Sequence, residues 1–382
     1  MFQSGTPEPS RGPRRSQNGA QLTSRSFDAI HMKRYTVQAD MVEKPTMNDV
    51  ARAAGVSLGT VSKVLNRNPT VAAELRERVL NACNQLSYQR NRIATSLRSR
   101  QTHTIGIVIP DILNTFYAAL LEKLENLASS AGYTVIIVTT GENSRQASER
   151  MQVLKQSQVD GMIVIPPLNG SGTLTSAVGS DTPCVIVDRI AAENPYPSVA
   201  TDNVDAAYQG TRYLLSLGHR HITLAVNSPD LWNTQERITG FEQAMREGSG
   251  KADVRIVGMT VEEARISIGN LFRDSGRPTA LFTANNLVTL GAIRAQHDCD
   301  IEIPDDMSLL AFDDFEWLRL LRPTVSAVQQ PVDQIAVEAW RLMFQQISKR
   351  AVGVPHVRAG AQLIIRQSTA ARVMAVGKMG VV

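Results

Sequence analysis

From Thr104 onward, short continuous apolar runs alternate with amphipathic stretches of helical period, and this alternation constrains the fold more than any other feature. IGIVIP (105–110), TVIIVTT (134–140), GMIVIP (161–166) and CVIVD (184–188) read as strands. Helical stretches of about 10–15 residues separate the first three. The pattern resumes with ITLAV (222–226), TALFTAN (279–285) and MSLLAFDD (307–314). A run that is apolar on both faces must be covered on both faces, so parallel sheets flanked by helices are predicted. Roughly 265 residues of this pattern exceed the needs of one doubly wound sheet, and two α/β lobes are predicted. The chain carries no short-period repeat of the solenoid kind.

The first hundred residues are different. Residues 1–44 are polar, rich in Pro, Ser, Gly and Arg up to Arg25, and lack apolar periodicity, so a disordered extension is expected. Met32 and Met41 are alternative starts to Met1, because folding signals begin only at Pro45. Thr46 can cap a helix that carries Asp49 in its first turn and Val50, Ala51 and Ala54 on one face. Gly55 ends that helix. Ser57 then caps a second one, whose inward face is Val61, Val64 and Leu65. A third runs from about Ala72 to Leu86, with Leu75, Val79 and Leu86 inward. Residues 1–100 hold 16 Lys and Arg against 7 Asp and Glu, whereas residues 101–382 hold 24 against 29. A basic head on a mildly acidic body points to a polyanionic partner for the head.

MNDVARAAGVSLGTVSKVLN (47–66) meets the packing demands of a helix-turn-helix. Ala51 permits close approach, Gly55 the sharp turn, and Val61 and Val64 seat the second helix on the first. The outer face of that second helix is Leu58, Gly59, Thr60, Ser62 and Lys63, short enough to enter a major groove. This run, followed by NxxVxxELRERVLNA and NRIATSLRSR (91–100), resembles the DNA-binding head, third helix and hinge of the LacI/GalR family of bacterial transcription regulators. Residues 102–370 resemble the same family's effector domain, so the likeness covers the chain beyond residue 44.

The resemblance implies a fold of two parts: an N-terminal all-α helix-turn-helix head and an α/β, two-lobed, periplasmic-binding-protein-like (type I) effector domain. Its boundaries are a disordered extension at 1–44, the head at 45–90, the hinge at 91–101, the effector domain at 102–370 and a tail at 371–382. Lobe 1 would comprise about 102–199 and 329–357, and lobe 2 about 200–328 and 358–370. By position, Leu58, Gly59 and Lys63 fall where the family reads bases; Thr46, Ser57, Thr60, Ser62 and Asn66 fall among the other DNA contacts. Gly59 departs in content, having no side chain with which to read. Ala94, Leu97 and Arg98 match the residues that enter the minor groove. A Leu on a basic helix can wedge between base steps; the alternative is a buried structural Leu, although nothing apolar beside Leu97 offers it a core. In the body, the resemblance implies effector contacts from Phe116, Tyr117, Asp188, Arg237, Asn285, Asp313 and Gln330. Trp232, Phe315 and Trp317 are further rings that either stack on a ligand or pack in a core. Asn286 stands where the family usually has Asp.

Several function classes are excluded. No run approaches the roughly 20 apolar residues needed to span a bilayer. The first 30 residues show no apolar core of a secretory signal, and Cys83, Cys184 and Cys299 form neither a disulfide framework nor a zinc spacing, so a cytoplasmic location is expected. His219 and His221 are two residues apart without a third ligand, a poor zinc site. No P-loop or G-x-G-x-x-G motif is present, and neither catalysis, a metal nor a cofactor is expected. A transport solute-binding protein shares the two-lobed fold, but the basic head opposes that reading. The expected partners are a pseudo-palindromic double-stranded operator, a second copy of the chain, and a small effector (a sugar, sugar acid or related metabolite), with no membrane. Tetramers of this family use a C-terminal leucine heptad. The tail from Ala370 has no Leu, so assembly is expected to stop at a dimer. The ten-residue hinge is too short and too basic to be helical alone and is expected to fold only on DNA.

Overall fold

The computed structural model describes residues 45–65, 68–88, 101–179, 181–350 and 353–372. The chain divides into two compact units, with the division after Arg90.

The first unit is helical. Helices α1 (Met47–Ala54), α2 (Leu58–Leu65) and α3 (Ala73–Gln85) enclose a small core centred on Val50, Val61, Val64 and Val79. Thr46 begins α1 as its sequence suggests. Its backbone N–H and hydroxyl both donate to Asp49 Oδ2, at 2.9 and 2.7 Å, and the Asp49 N–H donates back to the hydroxyl. These bonds hold the Asp49 carboxyl below its usual range. Gly55 ends α1 in the left-handed conformation at φ 60°, which a Cβ would strain. Arg78 of α3 secures the turn by donating to the carbonyls of Ala54, at 2.7 Å, and Gly55, at 3.2 Å. The Thr60 N–H donates to Ser57 Oγ at 3.1 Å, so Ser57 caps α2. Leu75 and Leu86, expected inward on α3, are half-buried.

The second unit contains two sheets. The first joins β1 (Thr104–Ile109), β2 (Thr134–Thr139), β3 (Gly161–Val164), β4 (Cys184–Val187), β5 (Ser198–Thr201) and β11 (His356–Ala359) in the order β11-β5-β4-β3-β1-β2. The second joins β6 (His221–Val226), β7 (Lys251–Ile256), β8 (Ala280–Thr283), β9 (Ser308–Phe312), β10 (Ser326–Gln329) and β12 (Gln362–Ile364) in the order β12-β10-β9-β8-β6-β7. Every pairing is parallel except β10 with β12. The first sheet is flanked by α4 (Thr115–Ser130), α5 (Ser144–Gln156), α6 (Ser171–Val178) and α12 (Val332–Ile347); α7 (Asn203–Ser216), α8 (Trp232–Glu247), α9 (Val261–Arg273), α10 (Asn286–Asp298) and the short α11 (Glu316–Leu320) belong with the second.

The chain passes between the sheets after β5, after β10 and between β11 and β12. The last crossing lies at Gly360 and Ala361, slightly beyond the boundary expected at residue 357. One strand also departs from expectation. TVIIVT in β2 is not covered on both faces: it is the edge of the first sheet, and Ile136 and Ile137 are exposed. Its apolar content matches that of an interior strand, and only its place in the sheet order distinguishes it.

Candidate functional site

Parallel sheets of this kind collect ligand groups at the carboxyl ends of their strands, where loops converge. Here the two sheets turn those ends toward one cleft of about 320 Å³. Asp188 follows β4 and Asp313 follows β9, so each sheet contributes one carboxylate from an equivalent position. Both are buried and both sit at positive φ, 68° and 80°, a region that non-glycine residues avoid and Asp tolerates comparatively well. Such strain of about 1–3 kcal/mol persists where the surroundings fix it, commonly at binding sites.

Asp188 accepts a hydrogen bond from the Tyr117 hydroxyl at 3.3 Å and from Asn233 Nδ2 at 3.2 Å. Asp313 accepts from the Asn286 N–H at 3.2 Å and from Gln330 Nε2 at 2.5 Å, while Gln330 Oε1 accepts from the Thr201 hydroxyl at 2.6 Å. Burial raises the Asp313 carboxyl above its usual range, against the pull of the Arg237 guanidinium and the Gln330 hydrogen bond.

Arg237 lies on α8, buried, with its Nε donating to Asn203 Oδ1 at 2.9 Å and Nη1 to the Ala284 carbonyl at 2.5 Å. Its guanidinium carbon stands 3.6 Å from the centre of the Phe312 ring. Burial lowers its pKa from the ordinary arginine value, while Asp313 and Asp188 favour its charge. Phe116 and Tyr117 open α4 as a buried edge-to-face pair, 5.5 Å between centroids. Asn285 lines the cleft but commits its Oδ1 to capping α10, accepting from the Val288 N–H at 2.9 Å.

Seven of the eight expected effector contacts therefore meet in one cavity: Phe116, Tyr117, Asp188, Arg237, Asn285, Asp313 and Gln330. Trp232 does not. One position before Asn233 on the helix, it faces away from this cleft and lines an adjoining cavity. Phe315 and Trp317 also depart from the cleft. Phe315 packs against the first lobe's core, and Trp317 against a core of the second lobe. Asn286 gains a role through its amide, which donates to Asn114 Oδ1 and Thr115 Oγ1, both at 3.0 Å, across the cleft to α4.

The sequence reading missed Glu142, Arg189 and Asn233. Arg189 grips Glu142 with two parallel hydrogen bonds of 2.7 Å and donates to the Pro166 carbonyl at 3.0 Å. Burial disfavours its charge, but Tyr117, Glu142 and Asp188 more than offset this and raise its pKa. Arg189 Nε and Asn233 Oδ1 are buried without a hydrogen-bond partner among the described residues. The His219 ring is structural, bonded to Thr279 and Ser308 at 3.0 Å and to the Ala370 carbonyl.

In the head, Ser57, Leu58, Gly59 and Lys63 are exposed, Thr60 and Ser62 are half-covered, and Val61 and Val64 are buried, so Leu58, Gly59 and Lys63 of α2 lie on its exposed face. Thr46 is exposed at the start of α1. Asn66, Ala94, Leu97 and Arg98 lie outside the described residues, as do the extension at 1–44 and the end of the tail. Among the described residues, no helix is long and apolar enough to cross a membrane.

A helix-turn-helix unit in one chain with a two-sheet, ligand-cleft body defines the class: a DNA-binding regulator with an effector domain. Residues 46–91 match the model of the bacterial regulatory proteins of the lacI family, and residues 211–369 match a periplasmic binding protein-like domain. The chain is 30% identical over 332 residues, 85% of its length and 98% of the relative's, to the HTH-type transcriptional regulator DegA of Bacillus subtilis (strain 168). Among solved structures, the lac repressor dimer bound to operator and the anti-inducer ONPF superposes with a TM-score of 0.77 at 23% identity, covering 86% of this chain and all of that one. A complex of the transcriptional regulator CelR with cellobiose superposes at 0.64 and 25% identity, covering 85% of this chain and 99% of that one. The chain belongs to the LacI family of bacterial transcriptional regulators. It is a regulator of transcription rather than an enzyme.

Proposed function

We propose that the protein represses transcription by binding a pseudo-palindromic operator as a cytoplasmic homodimer, and that a neutral sugar or related polyol seated in the cleft controls that binding. The observation that carries the ligand class is the pair of buried carboxylates, Asp188 and Asp313, one from each sheet, sharing a cavity with Arg237. Acceptors and a donor so placed suit vicinal hydroxyls, and Phe116 and Tyr117 supply apolar ring surface. Four carboxylates line the cavity (Asp111, Glu142, Asp188 and Asp313) against two guanidinium groups already engaged, which favours an uncharged ligand over a sugar acid. The cellobiose complex of CelR is consistent with this class.

On the DNA side, Leu58 and Lys63 read bases in the major groove, Gly59 at the third base-reading position leaves the reading to these neighbours, and Thr46, Ser57, Thr60, Ser62 and Asn66 contact the backbone. Ala94, Leu97 and Arg98 of the hinge enter the minor groove. A second copy supplies matched contacts on the other half-site. The exposed apolar edge of β2 is a further reason to expect a partner chain.

Genomic footprinting at physiological salt, repeated with a panel of metabolites, tests the reading. One or a few protected palindromes are expected, with affinity falling steeply with salt and responding to a carbohydrate. Asp313→Asn should weaken that response and leave operator affinity unchanged. Protection no better than on random DNA, or a response to nucleobases and to no carbohydrate, would overturn it.

A further inference from the structure

The chain enters the body through Gln101, Thr102 and His103, which lead from the hinge expected at 91–101 into the first strand, β1. One carboxylate takes hold of that stretch. Asp160, in the turn between α5 and β3, accepts from the Thr102 N–H through Oδ1 and from the His103 N–H through Oδ2, both at 2.8 Å. The Thr102 hydroxyl stands 3.1 Å from the same Oδ1 and donates to the Gln158 carbonyl at 2.8 Å. Two successive backbone N–H groups are thus turned onto one anion, a concave arrangement that grips the main chain itself.

The sheet does not need this grip. Backbone bonds already register the start of β1, from the Asp160 N–H to the Thr104 carbonyl and from the Thr134 N–H to the His103 carbonyl, both at 2.8 Å. Among the described residues, the hydrogen bonds given to the Asp160 carboxylate come from residues upstream of the strand. His103 is also held at φ 51°, in the left-handed region that residues with a Cβ avoid unless their surroundings impose it. Its ring packs on Tyr133 with 5.2 Å between centroids, and Tyr133 packs on Trp340 of α12 at 5.6 Å. An exposed residue beside the hinge is therefore fixed through both its main chain and its ring.

We infer that Asp160 is a positioning residue for operator recognition: by locking residues 102 and 103 it fixes where each hinge leaves the body, and so the half-site spacing a dimer accepts. This rests on the reading of the protein as a dimer on a pseudo-palindrome. The lengths decide the matter. One added base pair moves a half-site by about 3.4 Å and turns it by about 35°. Two residues released from the clamp give each hinge up to about 7 Å of slack, enough to follow that shift.

Fluorescence anisotropy tests the inference, with full-length protein titrated onto its footprinted operator and onto versions with one base pair added or removed between the half-sites. The parent should prefer the native spacing by about thirtyfold. Asp160→Asn keeps the shape but presents an amide that cannot accept from both N–H groups, and its preference should fall to about fivefold or less. His103→Gly suits φ 51° and so keeps the fold while loosening the clamped residue, and its preference should fall to about tenfold. Misfolded protein lowers the apparent affinity for every operator alike, so the ratio of affinities reads position and not stability. A relaxed ratio in Asp160→Asn supports the proposal, as does one in His103→Gly should the first variant not fold. A parent indifferent to spacing, an Asp160→Asn ratio equal to the parent's, or an equal His103→Gly ratio where the first variant does not fold, overturns it and leaves the operator reading intact. Absence of any protected operator for the parent overturns both.

Discussion

Arg237→Ala removes the cleft's central cation, and the structure indicates that the loss extends beyond the ligand. Truncation leaves Asn203 Oδ1 and the Ala284 carbonyl buried without the donor each now has, and each orphaned acceptor costs about 1–3 kcal/mol. Removing a desolvated cation 3.6 Å from the Phe312 ring centre costs about 2 kcal/mol more. The variant recovers the penalty of burying a guanidinium, the same penalty that lowers the Arg237 pKa. The net expectation is a loss of about 3 kcal/mol, or roughly 5 °C in Tm for a body of about 270 residues. Differential scanning calorimetry with and without a saturating sugar separates the two effects. The variant should melt lower without ligand and gain almost nothing from it. Operator affinity at 25 °C should stay near that of the parent protein, because the head has its own core. A variant melting within about 2 °C of the parent would refute the reasoning, since the stranded acceptors would then have found other partners.

Four further substitutions and one titration follow from the packing. A Cβ at Gly240 would lie 2.0 Å from the Val204 carbonyl oxygen where α7 meets α8, so Gly240→Ala should cost more than about 4 kcal/mol and make the second lobe protease-sensitive. Gly55→Ala places a side chain at φ 60° and 2.8 Å from Arg78 Nη2, costing about 1–2 kcal/mol and weakening operator binding in a mobility-shift assay. Arg78→Ala should cost about 1 kcal/mol by freeing the carbonyls that end α1, with a smaller loss of affinity. Burial holds the His219 imidazole below its ordinary value of 6.5, so below that pH the unfolded chain takes up a proton that the native chain refuses. Urea midpoints should therefore fall between about pH 7 and pH 5.5, by up to about 1.4 kcal/mol per unit from this residue. His219→Gln should remove that component.

How much of the fold was legible depended on where each strand gets its cover. β4, with all four residues buried, and the equally buried β8 and β9 announce themselves as apolar runs. β5 and the first three residues of β10 are as deeply buried but built partly from Ser198, Thr201 and Ser326, whose hydroxyls find partners in distant segments. Hydrophobicity cannot show such strands, because hydrogen bonds from elsewhere in the chain make their burial tolerable. β7 is an exposed edge and reads as polar, and β11 joins β5 across a long sequence separation. The site divides the same way. Asp188 and Asp313 end recognisable strands, whereas Glu142 and Arg189 meet across 47 residues between loops. Trp232 failed by one helical step: Asn233, Thr234 and Arg237 turn into the cleft and Trp232 turns away.

The threefold passage of the chain between the sheets sets a timetable for synthesis. The head's core needs nothing beyond Tyr88, so it can close as soon as those residues leave the ribosome. The first lobe is different: Ile335, Ala339, Leu342 and Met343 fill its core, and its outermost strand ends at Ala359. Neither lobe can close on its own early portion, because β11 and β12 are supplied together near the end. At about 5–20 residues per second, the gap between a finished head and a finished body is roughly ten seconds to a minute. For that interval the nascent chain carries a completed DNA-reading unit with no working sensor. A message truncated before residue 332 would make that state permanent, yielding fragments that can address DNA but take no instruction from a metabolite.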